Sequence, residues 1–315
     1  MTPEEFGHRL EPYRRELLAH CYRMLGSVDD AEDAVQETNL RAWRSHGTFD
    51  GRSSLRVWLY RIATNACLTA VERRRAVTRS VPWLQPMPDA LVTGEAPDPA
   101  TVAAGRESLR LALVASLQYL PPRQRAVLIL REVLDFPAAE VAAMLDTTTA
   151  AVKSTLQRAR VRLDEVAPQP EHQLSDPTDP RARALLQDYI DGFENYDMAA
   201  LERALRADAA IELVGTTTWF SGRDRCLPFL SGVIAAPGRW TMIPTIANGL
   251  PAAAAYERDA AGVHRAYGLG VLTVTEAGIL RISVFGGGAD LVARFGLPPT
   301  VTAPVQLDGG GRRPT

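Results

Sequence analysis

Proline falls in two clusters along this chain, and a helix cannot run through either of them. Residues 77–104 hold Pro82, Pro86, Pro88, Pro97 and Pro99, and residues 167–180 hold Pro168, Pro170, Pro177 and Pro180. A proline ring fixes φ, removes an amide donor and collides with the preceding turn, so both stretches read as extended linkers. They cut the 315 residues into units 1–76, 105–166 and 181–300, leaving 301–315, which ends LDGGGRRPT, as a disordered tail. That length suits two domains or three small ones.

Composition narrows the function classes. No apolar run approaches the roughly 20 residues that a membrane span needs, and the opening MTPEEFGHRLEPYRREL is acidic and amphipathic with no apolar signal region. The three cysteines, Cys21, Cys67 and Cys226, are odd in number and far apart in sequence, which fits a reducing cytoplasm without a disulfide framework. There is no CxxC pair and no HExxH, so neither a metal nor a cofactor is expected. A net charge of −2 argues against a generic nucleic-acid coat protein, and any DNA contact would come from local basic patches.

The first unit reads as helical. At 100° per residue, a helix over 30–44 puts Asp30, Asp33, Glu37, Arg41 and Arg44 on one face and Ala31, Val35, Leu40, Ala42 and Trp43 opposite. That charged face is either solvated, with Glu37 and Arg41 paired one turn apart, or a docking face for a helical partner. A helix over 55–75 has a core stripe of Leu55, Trp58, Leu59, Ile62, Ala63, Ala66 and Ala70. Arg56, Tyr60, Arg61 and Thr64 point away from it, and Arg73, Arg74 and Arg75 end it. A basic last turn suits the helix dipole; arginines beside an exposed aromatic can also hold a single strand.

The second unit reads as helices over 106–120, 122–134, 137–145 and 149–165, with Asp146 and Thr147–Thr149 as turn and cap. The last helix has a core stripe of Val152, Leu156, Ala159 and Leu163, and residues 148–162 carry four basic side chains and no acidic one. Small residues at its start allow close approach to a major groove, where Ser, Gln, Lys and Arg can reach base edges and phosphates. The alternative is a surface helix of an ordinary bundle.

The third unit changes character. Helix-like stretches 181–195 and 198–206 precede the strand-like runs IELVG, RWTMIPTIAN, AAAAYER, HRAYGLGVLTVT and ILRISVF, with TEAG (275–278) as a turn between the last two.

LLAHCYRMLGSVDDAEDAVQETNLRAWR (17–44) and FDGRSSLRVWLYRIATNACLTAVERRRA (49–76) closely resemble region 2 of the extracytoplasmic-function (ECF) group of bacterial sigma factors. LQYLPPRQRAVLILREVLDFPAAEVAAMLDTTTAAVKSTLQRARVRL (117–163) resembles region 4 of that group. The resemblance implies that Asp30, Asp33, Gln36 and Glu37 dock on the clamp helices of the polymerase β′ subunit. It implies that Arg52, Ser53, Arg56, Arg61, Asn65, Arg73, Arg74 and Arg75 melt and hold the −10 strand, capturing an extruded base. It assigns the −35 element to Thr149, Lys153, Ser154, Gln157, Arg158 and Arg160, and lays residues 77–104 along the RNA exit path. The partners it implies are core RNA polymerase, through the β′ clamp helices and β flap, and promoter DNA. The recognition helix opens TTTAAVKST, where many members have a Gly or Ser turn, so promoter preference does not transfer.

Residues 181–297 resemble the SnoaL-like domains of the NTF2-like cone fold, on the strength of DYIDGFENYDMAALERALRADAAIELV, WFSGRDRCLPFL and RFGLP. The expected fold class is therefore multidomain: two all-α sigma domains, a helical bundle and a helix-turn-helix, plus a C-terminal α+β cone. Cone folds enclose a pocket, so a small ligand is conceivable, and enzymatic relatives use buried carboxylate and histidine pairs. Asp197, Asp208, Glu212, Tyr256 and His264 are the candidates for such chemistry, with His264 reading as a surface strand residue. No active site is expected. The reading is a cytoplasmic alternative sigma factor, not a membrane protein, whose C-terminal domain regulates it in cis. The rivals are a helix-turn-helix regulator that does not bind polymerase, and an NTF2-like enzyme fused to a DNA-binding module.

Overall fold

The computed structural model describes residues 3–49, 51, 53–77, 84–92, 109–166, 174–216 and 218–302. The chain divides into two compact units, one of Met1–His172 with Ala247–Gly249, the other of Gln173–Ile246 with Leu250–Thr315. Residues 52, 78–83, 93–108 and 303–315, and with them Arg52, most of the first linker and the expected disordered tail, lie outside the described residues.

The first unit opens with α1 (Pro3–Leu10), α2 (Arg14–Leu25), α3 (Val28–Ser45) and α4 (Leu55–Val77). Helix α2 stops at Gly26, whose φ of 71° is a left-handed conformation that glycine adopts without strain, and whose amide donates to the Tyr22 carbonyl at 2.7 Å. Ser27 then caps α3 by accepting from Asp30 N at 3.3 Å, with Asp29 and Asp30 favourable beside the positive end of the dipole. A second cap comes from the first linker. Gln85 Oε1 accepts from the amides of Val28 (2.6 Å) and Asp29 (3.2 Å), and the Gln85 carbonyl accepts from Tyr22 Oη (2.6 Å). Residues 84–92 of the supposedly extended linker are thus folded, with Met87 buried and a 3-10 turn at Asp89–Leu91.

Next come α5 (Leu111–Gln118), α6 (Pro122–Leu128), α7 (Ala138–Met144) and α8 (Thr149–Val166). The helix expected over 122–134 does not stay α-helical. A π turn occupies Ile129–Val133, closed by Leu134 N to Ile129 O at 3.0 Å. Asp135 follows in the left-handed region, Phe136 N reaches Leu130 O at 2.9 Å, and the Arg131 guanidinium donates to the Phe136 carbonyl. This wider turn aims Phe136 inward, where it is buried. Residues 1–76 and 105–166 share one apolar core, running from Leu17, Tyr22 and Met24 through Leu59 and Ala63 to Leu117, Ile129, Val141 and Val152.

The second unit holds α9 (Pro180–Asn195), α10 (Met198–Ala204), β1 (Leu205–Leu213), β2 (Trp219–Ser221), α11 (Arg223–Ile234), β3 (Trp240–Ala247), β4 (Leu250–Arg258), β5 (His264–Thr275), β6 (Gly278–Gly286), α12 (Gly288–Arg294) and β7 (Thr300–Val301). It is the expected α+β fold. The sheet order is β2-β1-β6-β5-β4-β3, with β7 on β5. Strands β1 and β6 are parallel, while β1–β2, β4–β5 and β5–β6 are antiparallel. Register shifts at Ala255/Tyr256 and Thr273/Val274 mark the bulges that bend such a sheet. Helices α9 and α10 meet at Gly192, where a Cβ would sit 2.4 Å from Leu201 Cγ. The TEAG turn is where it is expected, Thr275 pairing with Gly278. Strand β1 begins at Leu205, inside the stretch expected to be helical through 206. His264 is buried, not on the surface, with Nε2 3.2 Å from Gly238 O.

Candidate nucleic-acid interface

Helix α8 presents the first surface of this unit. The turn before it passes through Asp146 at φ 51°, and Thr148 Oγ1 accepts from Ala151 N at 3.1 Å to cap it. Val152, Leu156 and Ala159 are buried against the rest of the unit, with Leu163 half-buried behind them. Thr149, Lys153, Ser154, Gln157, Arg158, Arg160 and Arg162 are all exposed. This face donates hydrogen bonds and carries positive charge, which is what phosphates and base edges in a major groove accept. Arg160 differs from the others: its guanidinium is ion-paired with Glu132 of the π turn (Nε···Oε1 3.1 Å). That pair links the surface of α8 to the π turn.

Helix α3 presents the second surface. Asp33 and Gln36 are exposed, and Asp30 and Glu37 partly so, with Arg41 donating to Glu37 (Nε···Oε1 2.6 Å). Leu40 belongs to this face. It is 50% exposed, not in the core as its apolar character suggests. It lies one turn from Gln36 and Glu37, giving an apolar contact bordered by acidic and amide groups.

Helix α4 is covered on two sides. Arg61, Asn65 and Arg73 are exposed, as is Ser53 just before the helix. Tyr60 and Thr64, expected to point outward, are buried. Tyr60 packs edge-on to Phe136 at 5.0 Å and to His20 at 5.1 Å, and Thr64 Oγ1 meets His20 Nε2 at 3.0 Å. Arg56 donates to Glu16 (Nε···Oε2 2.9 Å) and lies 5.0 Å from the Tyr60 ring centroid and 4.7 Å from that of Phe136. Of the expected −10 residues, Arg56 is therefore engaged within the unit. Arg74 and Arg75 continue the helix, with side chains outside the described residues, and Arg52 lies outside them altogether. Sequence reasoning missed Gln85, Phe136 and Glu132. Only Phe136 left a signal, as an aromatic beside Asp135 and Pro137.

The acid–base candidates of the second unit are not brought together. Asp197 caps α10, accepting from Ala200 N at 2.9 Å. Asp208 pairs with Arg206 (2.8 Å) on the surface, and Glu212 with Arg281 (3.5 Å). Tyr256 Oη donates to Pro298 O at 2.9 Å, and burial raises its pKa. Among the described residues no group of three or more His, Cys, Asp or Glu could hold a metal ion, and no helix is long and apolar enough to cross a membrane.

Comparison with known proteins gives the same order of elements. Residues 10–77 match sigma-70 region 2, and residues 110–163 match sigma-70 region 4. The chain is 46% identical over 318 residues to the ECF RNA polymerase sigma factor SigG of Mycobacterium tuberculosis, covering 94% of this chain and 85% of that one. It is 37% identical over 153 residues to SigJ of the same organism, covering 48% of this chain and 47% of that one. The crystal structure of SigJ superposes with a TM-score of 0.62 at 23% identity, across 91% of this chain and 98% of that one, so the two share a fold.

Proposed function

The chain belongs to the extracytoplasmic-function sigma factors of RNA polymerase, and from that premise we propose how its surfaces divide the work. Helix α3, through Asp30, Asp33, Gln36, Glu37 and the exposed Leu40, binds the β′ clamp helices of core polymerase. Helix α4 and the residues before it engage the −10 strand. Helix α8 reads the −35 element with Lys153, Ser154, Gln157 and Arg158. The observation that carries this reading is the α8 face, four basic side chains without an acidic one across 148–162, on a helix-turn-helix that falls within the region 4 match.

The reading has a geometric consequence. The names of the two promoter elements put them roughly 25 base pairs apart, about 85 Å at 3.4 Å per base pair. Helices α4 and α8 sit on one shared core. The compact unit must open for both elements to be held at once, and opening exposes Arg56 by withdrawing Phe136. We read the compact form as the resting form, and the C-terminal α+β unit as a cis regulator without catalysis, acting in the cytoplasm. The scattered engagement of Asp197, Asp208, Glu212 and Tyr256 in caps and pairs favours regulation over turnover.

Run-off transcription with purified core polymerase tests this, comparing the full chain with a 1–170 truncation on a promoter library that includes the upstream region of its own gene. Specific transcripts are expected, and their difference between the two forms gives the sign of C-terminal control. Absence of both transcripts and core binding in either form sinks the assignment. Equal output from the two forms under all conditions sinks the cis-regulatory part.

A further inference from the structure

The face of the sheet that shares its apolar core with α9, α10 and α11 changes size along β5 and β6. At one end its cross-strand pairs are Val274 with Ile279 and Leu272 with Ile282, all buried in that core. The next two pairs on the same face are Gly270 with Val284 and Gly268 with Gly286, and β4 adds only Ala253 and Ala255 beside them. Glycine inside a strand marks the close approach of a backbone or of another group. Gly268 is the first kind: a Cβ there would lie 2.1 Å from Phe285 O. Gly270 is the second: the nearest atoms to a Cβ there would all belong to Tyr189 of α9, with Oη at 3.0 Å. At Gly286 a Cβ would meet open space. Tyr189 is 2% exposed, and its hydroxyl has no hydrogen-bond partner among the described residues. A buried phenol ordinarily has one. Phe193 lies against Tyr189 at 4.9 Å and Trp240 against Phe193 at 6.2 Å, an aromatic wall beside the hydroxyl. Among the described residues of this unit no Asp, Glu, Lys or Arg is buried.

We propose that this face of the α+β unit binds a small uncharged molecule, apolar over most of its surface, whose one carbonyl oxygen accepts from Tyr189 Oη and whose body lies over Gly270. The proposal rests on the reading of the unit as a cis regulator: the bound molecule is the input to which the unit answers. The chemistry follows from the lining. Burial raises the pKa of Tyr189, so its hydroxyl stays protonated. A phenolic hydroxyl donates better than it accepts, because its lone pair is shared with the ring, so the ligand supplies the acceptor. An ion would lose its hydration with no buried counter-charge to meet it, so the ligand is uncharged. The rest of the lining is glycine, alanine, valine and aromatic ring, and small-molecule sites are characteristically such apolar surfaces with few fixed polar groups. The row of small residues runs out to Gly286, which is exposed, so the space opens to solvent at that end.

The test uses the full chain and matched probes: acetophenone, a neutral ketone; ethylbenzene, which lacks the oxygen; and benzoate, which carries a charge. Saturation-transfer NMR measures the binding of each. Acetophenone is expected to bind saturably, about tenfold more tightly than ethylbenzene, and benzoate is expected not to displace it. Tyr189→Phe keeps the ring and removes a hydroxyl that has no partner in the fold. It should bring acetophenone to the affinity of ethylbenzene and leave ethylbenzene unchanged, which a merely structural tyrosine would not do. Gly270→Ala, which places a methyl 3.0 Å from Tyr189 Oη, should weaken the ketone by filling its place. Absence of saturable ketone binding overturns the proposal, as does equal ketone binding by the wild type and Tyr189→Phe, or displacement by benzoate. The comparison of probes on the wild-type chain decides the site even if a variant fails to fold. Run-off transcription with acetophenone separates the site from the reading it rests on. Ketone binding that depends on Tyr189 with unchanged output supports the site and overturns cis regulation through it, whereas absence of binding removes the site whatever the output.

Discussion

The guanidinium of Arg125 donates to the main-chain oxygen of Met24, so a region 4 side chain terminates a region 2 helix. The same group donates to Gln118 Oε1 (2.7 Å), Gln118 O (2.9 Å) and Leu120 O (3.2 Å), and Gln118 Nε2 in turn donates to Arg23 O at 3.2 Å. Helix ends leave carbonyls without intrahelical partners, and here two of the last in α2 are satisfied from α5 and α6.

Replacing Arg125 with Met keeps the apolar stem and removes the donors. Several buried carbonyls then lose charged hydrogen bonds, and the cost is roughly 2–4 kcal/mol. Urea denaturation of the full chain should show that loss. A cost near zero would mean that the compact unit is held by its apolar core alone.

Helix α8 was readable in the sequence because its apolar stripe has an uninterrupted helical period and its other face has one sign of charge. Helix α4 was read only halfway. A single-stripe pattern assumes one covered face, whereas α4 is covered by α2 and again by Phe136, so Tyr60 and Thr64 are buried on the face taken as open. Leu40 departs in the opposite sense: assigned at 100° per residue to the face opposite Glu37, it is exposed, because it sits at the border of that face one turn from Gln36 and Glu37. The π turn had no local signal, because the i to i−5 pattern at Leu134 is set by where Phe136 must go. Strand β2 is three residues long, and α11 carries Pro228 within it, so neither offers a period to detect.

The exposure of Leu40 sets up a test of the polymerase face. Leu40→Asp on an already exposed site should change stability by no more than about 0.5 kcal/mol. It should nevertheless abolish copurification with core polymerase, as should Glu37→Lys, which also breaks the pair with Arg41. Core binding unchanged in both variants would move the docking site off α3.

His20 gives the first unit a pH dependence. Burial, assisted by the charge of Arg23, lowers its pKa from 6.5 to about 3, and its Nδ1 is buried without a partner. The unfolded chain takes up a proton below pH 6.5 and the folded one does not until about pH 3. Stability from this group is complete above pH 6.5 and falls as pH drops toward 3, by about 1.4 kcal/mol per unit. His20→Gln retains an amide for Thr64 and removes the titration. Denaturation between pH 7 and pH 5 should show a shallower slope in the variant; parallel slopes would assign the acid sensitivity to other groups.

Lys153, Gln157 and Arg160 separate three ways in which α8 can matter. Lys153 is exposed on the basic face of α8, so Lys153→Ala should weaken binding to all promoter fragments alike and reduce the salt slope by about one. Gln157 carries no charge and is exposed on the same helix. Gln157→Ala should leave the salt slope unchanged and relax discrimination at one position of the −35 element by roughly 1–3 kcal/mol. Arg160 is paired with Glu132 on the surface, a contact worth less than about 1 kcal/mol. If its role is to orient α8, Glu132→Gln should reproduce the binding defect of Arg160→Ala, although Glu132 carries the wrong charge to touch DNA. If Arg160 contacts phosphate instead, releasing it from Glu132 should tighten binding. Fluorescence titrations of −35 fragments with holoenzyme at several salt concentrations distinguish the two, because the sign of the Glu132→Gln effect is opposite in each case.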